Sequence, residues 1–115
     1  MGHIEINKAE VYDFTKFPLY NKNSVEVKCI MNKITGSICA FSFGSENLFN
    51  GKRIPFDTYI QCIDGIAEVV IDDNPKLIQK GQFIIVPAHS EFFIKIQKRF
   101  KMLSVIIKSG YEDVS

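Results

Sequence analysis

Six residues have types and spacing that bear on chemistry: Lys52, Asp57, Thr58, Tyr59, His89 and Phe92. A lysine whose pKa is lowered by burial can act as a general base or a Schiff-base nucleophile. A lysine at the rim of a fold instead keeps its ammonium group in water. Both readings of Lys52 stand in the sequence. Asp57 and Tyr59 can hold or move a proton, but no histidine lies beside them to complete an acid–base set. The chain has two histidines, His3 at the extreme N-terminus and His89 in the run PAHSE with Glu91 nearby. A lone histidine two residues past Pro87, at a connection between strands, reads as a polar loop residue. Two histidines cannot supply a three-histidine metal centre.

The elements that must position these groups read as strands. Ile occurs 17 times against 4 Leu and 4 Ala, and with 10 Phe this vocabulary suits a pleated surface better than a helix. Few or no helices beyond a single turn are expected. Residues 24–31 alternate polar and apolar side chains, 32–36 supply a turn, and 37–43 return as the second arm of a hairpin. Asp64-Gly65, between the strand-like runs TYIQCI and IAEVVI, reads as another hairpin turn. Asp72, Asp73, Asn74 and Pro75 form the next turn, and four short runs over 76–108 complete the series. Residues 44–51 read as a long turn-rich gap. Residues 10–14 are a short strand candidate, and 14–23 read as an aromatic covering loop lying against a partner or the barrel edge. Along 52–62, alternation places Lys52, Ile54, Phe56, Thr58, Ile60 and Cys62 on one face and Arg53, Pro55, Asp57, Tyr59 and Gln61 on the other.

At 115 residues the chain reads as one domain, able to bury a core without staples. A formal charge of +1 makes no general electrostatic surface for nucleic acid or anionic lipid, so neither partner is expected. The basic cluster Lys95, Lys98, Arg99 and Lys101 reads as the solvated side of a turn. Cys29, Cys39 and Cys62 are odd in number and lack C-x-x-C spacing. They read as reduced core or barrel-facing thiols of a cytoplasmic protein. No apolar run approaches the length needed to cross a bilayer, and the N-terminus has no apolar signal core.

The stretch GKRIPFDTYIQCIDGIAEVVI, residues 51–71, followed by KGQFIIVPAHSEFFIKI, residues 80–96, resembles the two motifs of a cupin barrel. In that family the motifs read G-x5-H-x-H-x3/4-E-x6-G and G-x5-P-x-G-x2-H-x3-N, and three histidines with a glutamate hold a divalent metal. With Gly65 as the terminal glycine of the first motif, the glutamate position falls on Thr58 and the histidine positions on Ile54 and Lys52. None of these is a normal first-row metal ligand. Gly81 and Pro87 match the second motif. Its following glycine, histidine and asparagine positions are occupied by His89, Phe92 and Ile96. The resemblance covers roughly residues 37–108, and it implies an all-β double-stranded β-helix, or jelly-roll cupin barrel, without the family's metal ligands.

The resemblance further implies that the face carrying Lys52, Thr58 and Cys62 looks into the barrel, with Lys52 near its mouth and Phe92 entering from the facing strand. Candidate ligand-binding residues are Lys52, Thr58, Tyr59 and Phe92. Tyr59 turns inward, with Asp57 and Gln61, if a bulge at Pro55 inverts the phase. No metal, no cofactor and no catalytic residue is assigned. Two functions remain open: a metal-free, non-catalytic module that binds a small molecule or regulates, and a metal-independent isomerase or lyase using Lys52, Tyr59 or Asp57. The expected organisation is a single cupin domain over 1–115, with an N-terminal strand and arm at 1–23, a barrel core at 24–108 and a tail at 109–115. The aromatic arm Phe14, Phe17, Leu19 and Tyr20 leads us to expect a homodimer.

Overall fold

Alternating runs rich in Ile, Val and Phe can bury one face only by pairing into sheets, and a computed structural model describing residues 6–110 shows eight strands and, among these residues, no helix. They are β1 Val25–Lys33, β2 Gly36–Phe43, β3 Asn47–Asn50, β4 Thr58–Ile71, β5 Asn74–Gln79, β6 Phe83–Val86, β7 Phe92–Ile96 and β8 Phe100–Ile107. All pairings are antiparallel. The first sheet runs β1-β2-β8-β4-β6 and the second β3-β7-β4-β5, so that β4 belongs to both.

The two sheets are joined within β4. Its first half, from Thr58, pairs with β8 and β6, and its second half, from Ile66, pairs with β5 and β7. The register against β8 shifts between Cys62 and Asp64, and Gly65 follows with φ 85°. A bulge adds local twist and bends a strand. Asp64-Gly65 is therefore a bend inside one 14-residue strand, which corrects the hairpin expected there. The turn chemistry was right in kind, since Gly65 does need a positive φ, but strand pairing continues through it on both sides. The true hairpin turn is Asp72-Asp73, with φ 46° and 68°, the double positive φ of a two-residue connection.

Inward side chains of both sheets form one core. Phe43, Ile60, Cys62, Val69, Phe92, Ile94, Ile96, Phe100 and Met102 are all buried in it. Phe41 and Phe49 pack edge-on, 5.3 Å between ring centroids, and close its flank. Ring pairs of this geometry add to the burial of apolar area.

Three further expectations are corrected. Residues 10–14 form no strand: they enter a turn in which Lys16 N donates to the Asp13 carbonyl, and Phe17 and Pro18 beyond it are buried. The gap at 44–51 contains β3, whose four residues pair with β7. Cys29 and Cys39 are not reduced thiols. The β1–β2 register sets them directly opposite, and they form a disulfide with Sγ–Sγ 2.13 Å. Ten residues of separation gave no hint of that pairing, because only the register of the hairpin brings the two together.

Residues 12–20 lie on the outer face of the first sheet of their own chain. Lys101 Nζ donates to the Phe14 carbonyl at 2.7 Å and sits 4.9 Å from the Tyr20 ring centroid. Lys101 is thus buried, and the reading of it as a solvated turn residue is corrected. It points away from the core because it alternates with Phe100 and Met102. No helix among the described residues is long and apolar enough to cross a membrane.

Candidate functional site

The first half of β4 sorts the candidate residues by parity. Thr58, Ile60 and Cys62 face inward and are buried, as the alternation and the motif phase require. Tyr59 takes the other face. Its hydroxyl donates to Gln61 Oε1 at 2.9 Å, and its ring stacks on Phe83 at 5.2 Å. The inverted phase that would turn Tyr59 inward is therefore not adopted. Asp57 sits in the loop before β4, where its carboxylate accepts the Ala88 N–H at 2.8 Å. Lys52 is exposed with φ 62°, and its backbone N–H is held by Asn50 Oδ1. These four residues lie in three settings: Thr58 inside, Tyr59 on the outer sheet face, and Lys52 and Asp57 in an exposed loop.

Phe92 occupies the inward position on β7 with 4% exposure. Its carbonyl accepts the Gly51 N–H at 3.1 Å, and its ring lies against the Gly51 α-carbon so closely that a β-carbon there would fall 2.0 Å from Cζ. Glycine at 51 and phenylalanine at 92 are thus a matched pair, the one leaving the space that the other fills. The position that the motif resemblance aligns with the last metal ligand of a cupin holds an aromatic ring packed against backbone. His89 is exposed in the loop before β7, with φ 69°. Its carbonyl accepts from Arg53, and its N–H donates to the Ile54 carbonyl. Among the described residues no group of three or more His, Cys, Asp or Glu is placed to hold a metal ion. The side chains that the motif resemblance sets at a cupin's metal positions do not fit a metal: an exposed ammonium, an alkyl chain, a hydroxyl and a phenyl ring.

One polar atom of the interior stands out. Thr58 is 3% exposed and its Oγ1 has no hydrogen-bond partner. A buried hydroxyl without a partner forfeits its bonds to water, at a cost of about 1 to 3 kcal/mol. Ser42 Oγ is in the same condition, but it alternates with Phe41 and Phe43 and so points to the outer face.

A second cluster was not anticipated from the sequence. Tyr20 donates its hydroxyl to Asp64 Oδ2 at 2.5 Å, across 44 residues, while Arg99 and Lys101 flank its ring at 5.0 and 4.9 Å. Burial, reinforced by the Asp64 bond, pushes the Tyr20 phenol well above its ordinary range. The same hydrogen bond holds the Asp64 carboxyl below its usual value, and burial lowers that of the Lys101 ammonium. The first two shifts favour the hydrogen-bonded phenol and carboxylate, whereas burial works against the Lys101 ammonium; the geometry is that of a clasp fixing the arm to β4 and β8. The sequence signal was the run of aromatics at 14–20, but no spacing rule links Tyr20 to Asp64.

Cys62 is the free cysteine of the described chain. It is buried, with its thiol near the Asp64 and Gly65 carbonyls at 3.5 and 3.3 Å, and burial pushes its pKa up to about 11. Only the thiolate is the reacting species. Native protein prepared without reductant should therefore incorporate close to no maleimide at neutral pH, one equivalent after unfolding, and three after unfolding with reductant. Mass spectrometry reads each state, and three equivalents without reductant would dismiss the Cys29–Cys39 bond.

Two open clefts, of about 390 and 410 Å³, run along β5 and β6 and share Lys76 and Ile84. None of Lys52, Thr58, Tyr59 and Phe92 lines either.

No protein-family profile and no curated protein matches the chain in sequence. Solved structures match it in shape. A conserved protein of unknown function from Streptococcus pyogenes superposes with TM-score 0.84 at 24% identity, over 95% of this chain and 96% of that one. A cupin superfamily protein from Desulfitobacterium hafniense does so with TM-score 0.83 at 21% identity, over 90% and 95%. A cupin 2 conserved barrel domain protein from Leptotrichia buccalis gives TM-score 0.83 at 21% identity, over 97% of this chain and 57% of that one. The chain has the cupin fold that its two motifs implied.

Proposed function

We propose that this cupin-fold barrel is a metal-free binding module, taking a small, largely apolar molecule with one polar group in its interior rather than performing chemistry. The orphaned Thr58 hydroxyl carries the reading. A buried polar atom with no partner calls for an explanation, and a ligand group bonded to Oγ1 supplies one among the apolar neighbours Ile60 and Val86. A few polar anchors in an apolar surround is the common make-up of a small-molecule site. The groups an isomerase or lyase would need do not support that alternative, because Tyr59 points outward and Lys52 and Asp57 are exposed.

The test is an NMR screen of small neutral carbonyl and hydroxyl compounds against isotope-labelled protein. Perturbed shifts should centre on Thr58, Ile60 and Phe92. Thr58→Val should weaken binding by about tenfold, the worth of one hydrogen bond, while leaving the protein as stable or more so. A screen with no hits, or hits unchanged by Thr58→Val, would reject the proposal.

Metal independence has its own test. A ligand that binds only the native state raises stability by mass action, so a resident metal would reveal itself as a drop in Tm on chelation. EDTA is expected to leave Tm unchanged. Elemental analysis near one zinc, iron, nickel or manganese per chain would refute this.

A further inference from the structure

We propose that β6 is the docking edge of this protein and that its occupant is β6 of a second copy, paired antiparallel across a two-fold axis. The pairing expected from the sequence thereby acquires a place, and one separate from the aromatic arm, which is spent on its own sheet. The inference is independent of any ligand in the interior.

β6 pairs with β4 on one side alone and ends the first sheet. The direction of its backbone groups follows from the ladder. Cys62 N donates to the Gln82 carbonyl and Gly81 N to the Cys62 carbonyl, at 2.8 and 2.9 Å, so Cys62 turns its groups toward the β6 side. Groups alternate along a strand, so Ile60 and Thr58 also turn that way. They meet Ile84 and Val86. Phe83 and Ile85 therefore direct their N–H and C=O groups outward, along the free edge.

Edge strands are ordinarily guarded against association by charge, proline or bulges. Two other edges of the molecule follow that rule: β5 carries Pro75 and Lys76, and β1 carries Glu26, Lys28, Lys33 and a register shift at Cys29/Met31. The edge at β3 has none of these devices, but it is polar at both ends, Asn47 and Asn50. β6 reads Phe-Ile-Ile-Val and has none of these devices. Phe83 and Ile85 are 62% and 48% exposed on the outer face, and a cleft of about 410 Å³ that includes Ile84 and Ile85 adjoins the edge.

The same residues are complementary to themselves. Residues opposite one another in an antiparallel pair share a face. A two-fold axis at Ile84 sets Phe83 opposite Ile85 of the second copy and Ile85 opposite its Phe83. These are the two residues whose backbone groups are free, so each pair exchanges two hydrogen bonds, four in all. With no charge on the strand, electrostatics neither opposes the meeting of two identical edges nor selects an ionic partner. Two five-stranded sheets become one of ten strands, and closure by the two-fold consumes both edges, which prevents open-ended growth. A four-residue strand buries less than the roughly 1,200 Å² of a standard interface, so the dimer should be reversible, with half-association at roughly ten to a hundred micromolar.

Sedimentation equilibrium of the full chain over about 5 to 300 μM, a range spanning that midpoint, should show mass rising from one chain toward two. Ile85→Pro removes an outward N–H and no bond to β4, so it should fold and associate at least tenfold more weakly. In the unmodified chain, the Phe83 and Ile85 amides should gain exchange protection as concentration rises, while Ile84 is protected throughout. That second measurement stands even if the proline variant does not fold. A monomer at every concentration, association unaffected by Ile85→Pro, or Phe83 and Ile85 amides whose exchange ignores concentration would overturn the proposal, the first leaving the edge to an extended segment of another protein.

Discussion

Phe92→Ala should destabilise the protein by roughly 3 to 5 kcal/mol, the range for removing a buried ring whose site cannot collapse. Phe92 is 4% exposed and joins Phe43, Ile94, Ile96 and Phe100 in the core. Relaxation around the vacated space is limited because one wall is the backbone at Gly51, which hydrogen-bonds the Phe92 carbonyl and is held with it. Coupling between the two positions makes the expectation sharper. Gly51→Ala alone should be costly, since the added methyl would lie 2.0 Å from the ring. In the Phe92→Ala background the same methyl enters the cavity and should cost little or restore stability. Residues in contact show coupling of 0.5 to 3 kcal/mol, and here it should lie toward the upper end. Urea denaturation of the four proteins measures the cycle. Additive effects, or a loss below about 1 kcal/mol for Phe92→Ala, would mean that the ring does not fill the space left beside Gly51.

Much of the fold was legible because it depends on period and on turn residues. The β1–β2 hairpin, the late run of short strands and the shared face of Thr58, Ile60 and Cys62 follow from alternation, which a strand expresses residue by residue, and the motif resemblance supplied which face turns inward. Pairing partners are a different matter. Cys29 and Cys39 meet through register, Tyr20 reaches Asp64 across 44 residues, and Lys101 is buried by an arm that approaches from the far end of the chain. Each is a contact between segments whose own sequences say nothing of the other. The candidate site divides the same way. The motif resemblance placed Thr58 and Phe92 inward, where both are buried, but the burial of a single unpartnered hydroxyl depends on everything packed around it. The unguarded edge of β6 was visible as letters, FIIV, yet only the topology makes it an edge.

Gly65→Ala should cost about 2 to 6 kcal/mol, from two terms that Gly81→Ala separates. Both glycines have positive φ, 85° and 88°, and a non-glycine residue held in such a conformation costs about 1 to 3 kcal/mol. At Gly81 that is the whole cost, since a β-carbon there would meet nothing within 4 Å. At Gly65 the β-carbon would fall 2.2 Å from the Arg99 carbonyl oxygen, a backbone atom just before β8 that cannot swing aside. Gly65 itself pairs with Phe100, and the bend carries β4 from one sheet into the other, so relief of the clash would have to part β4 from β8 at the corner that joins the sheets. Crowding of this kind adds about 1 to 3 kcal/mol. Asp64 is adjacent, and displacement of the bend should also loosen its hydrogen bond to Tyr20, so faster amide exchange at 12–20 is expected in the Gly65 variant and not in the Gly81 variant. Equal losses for the two alanine variants would show that conformation alone, and not the close approach of two strands, requires glycine at the corner of the barrel.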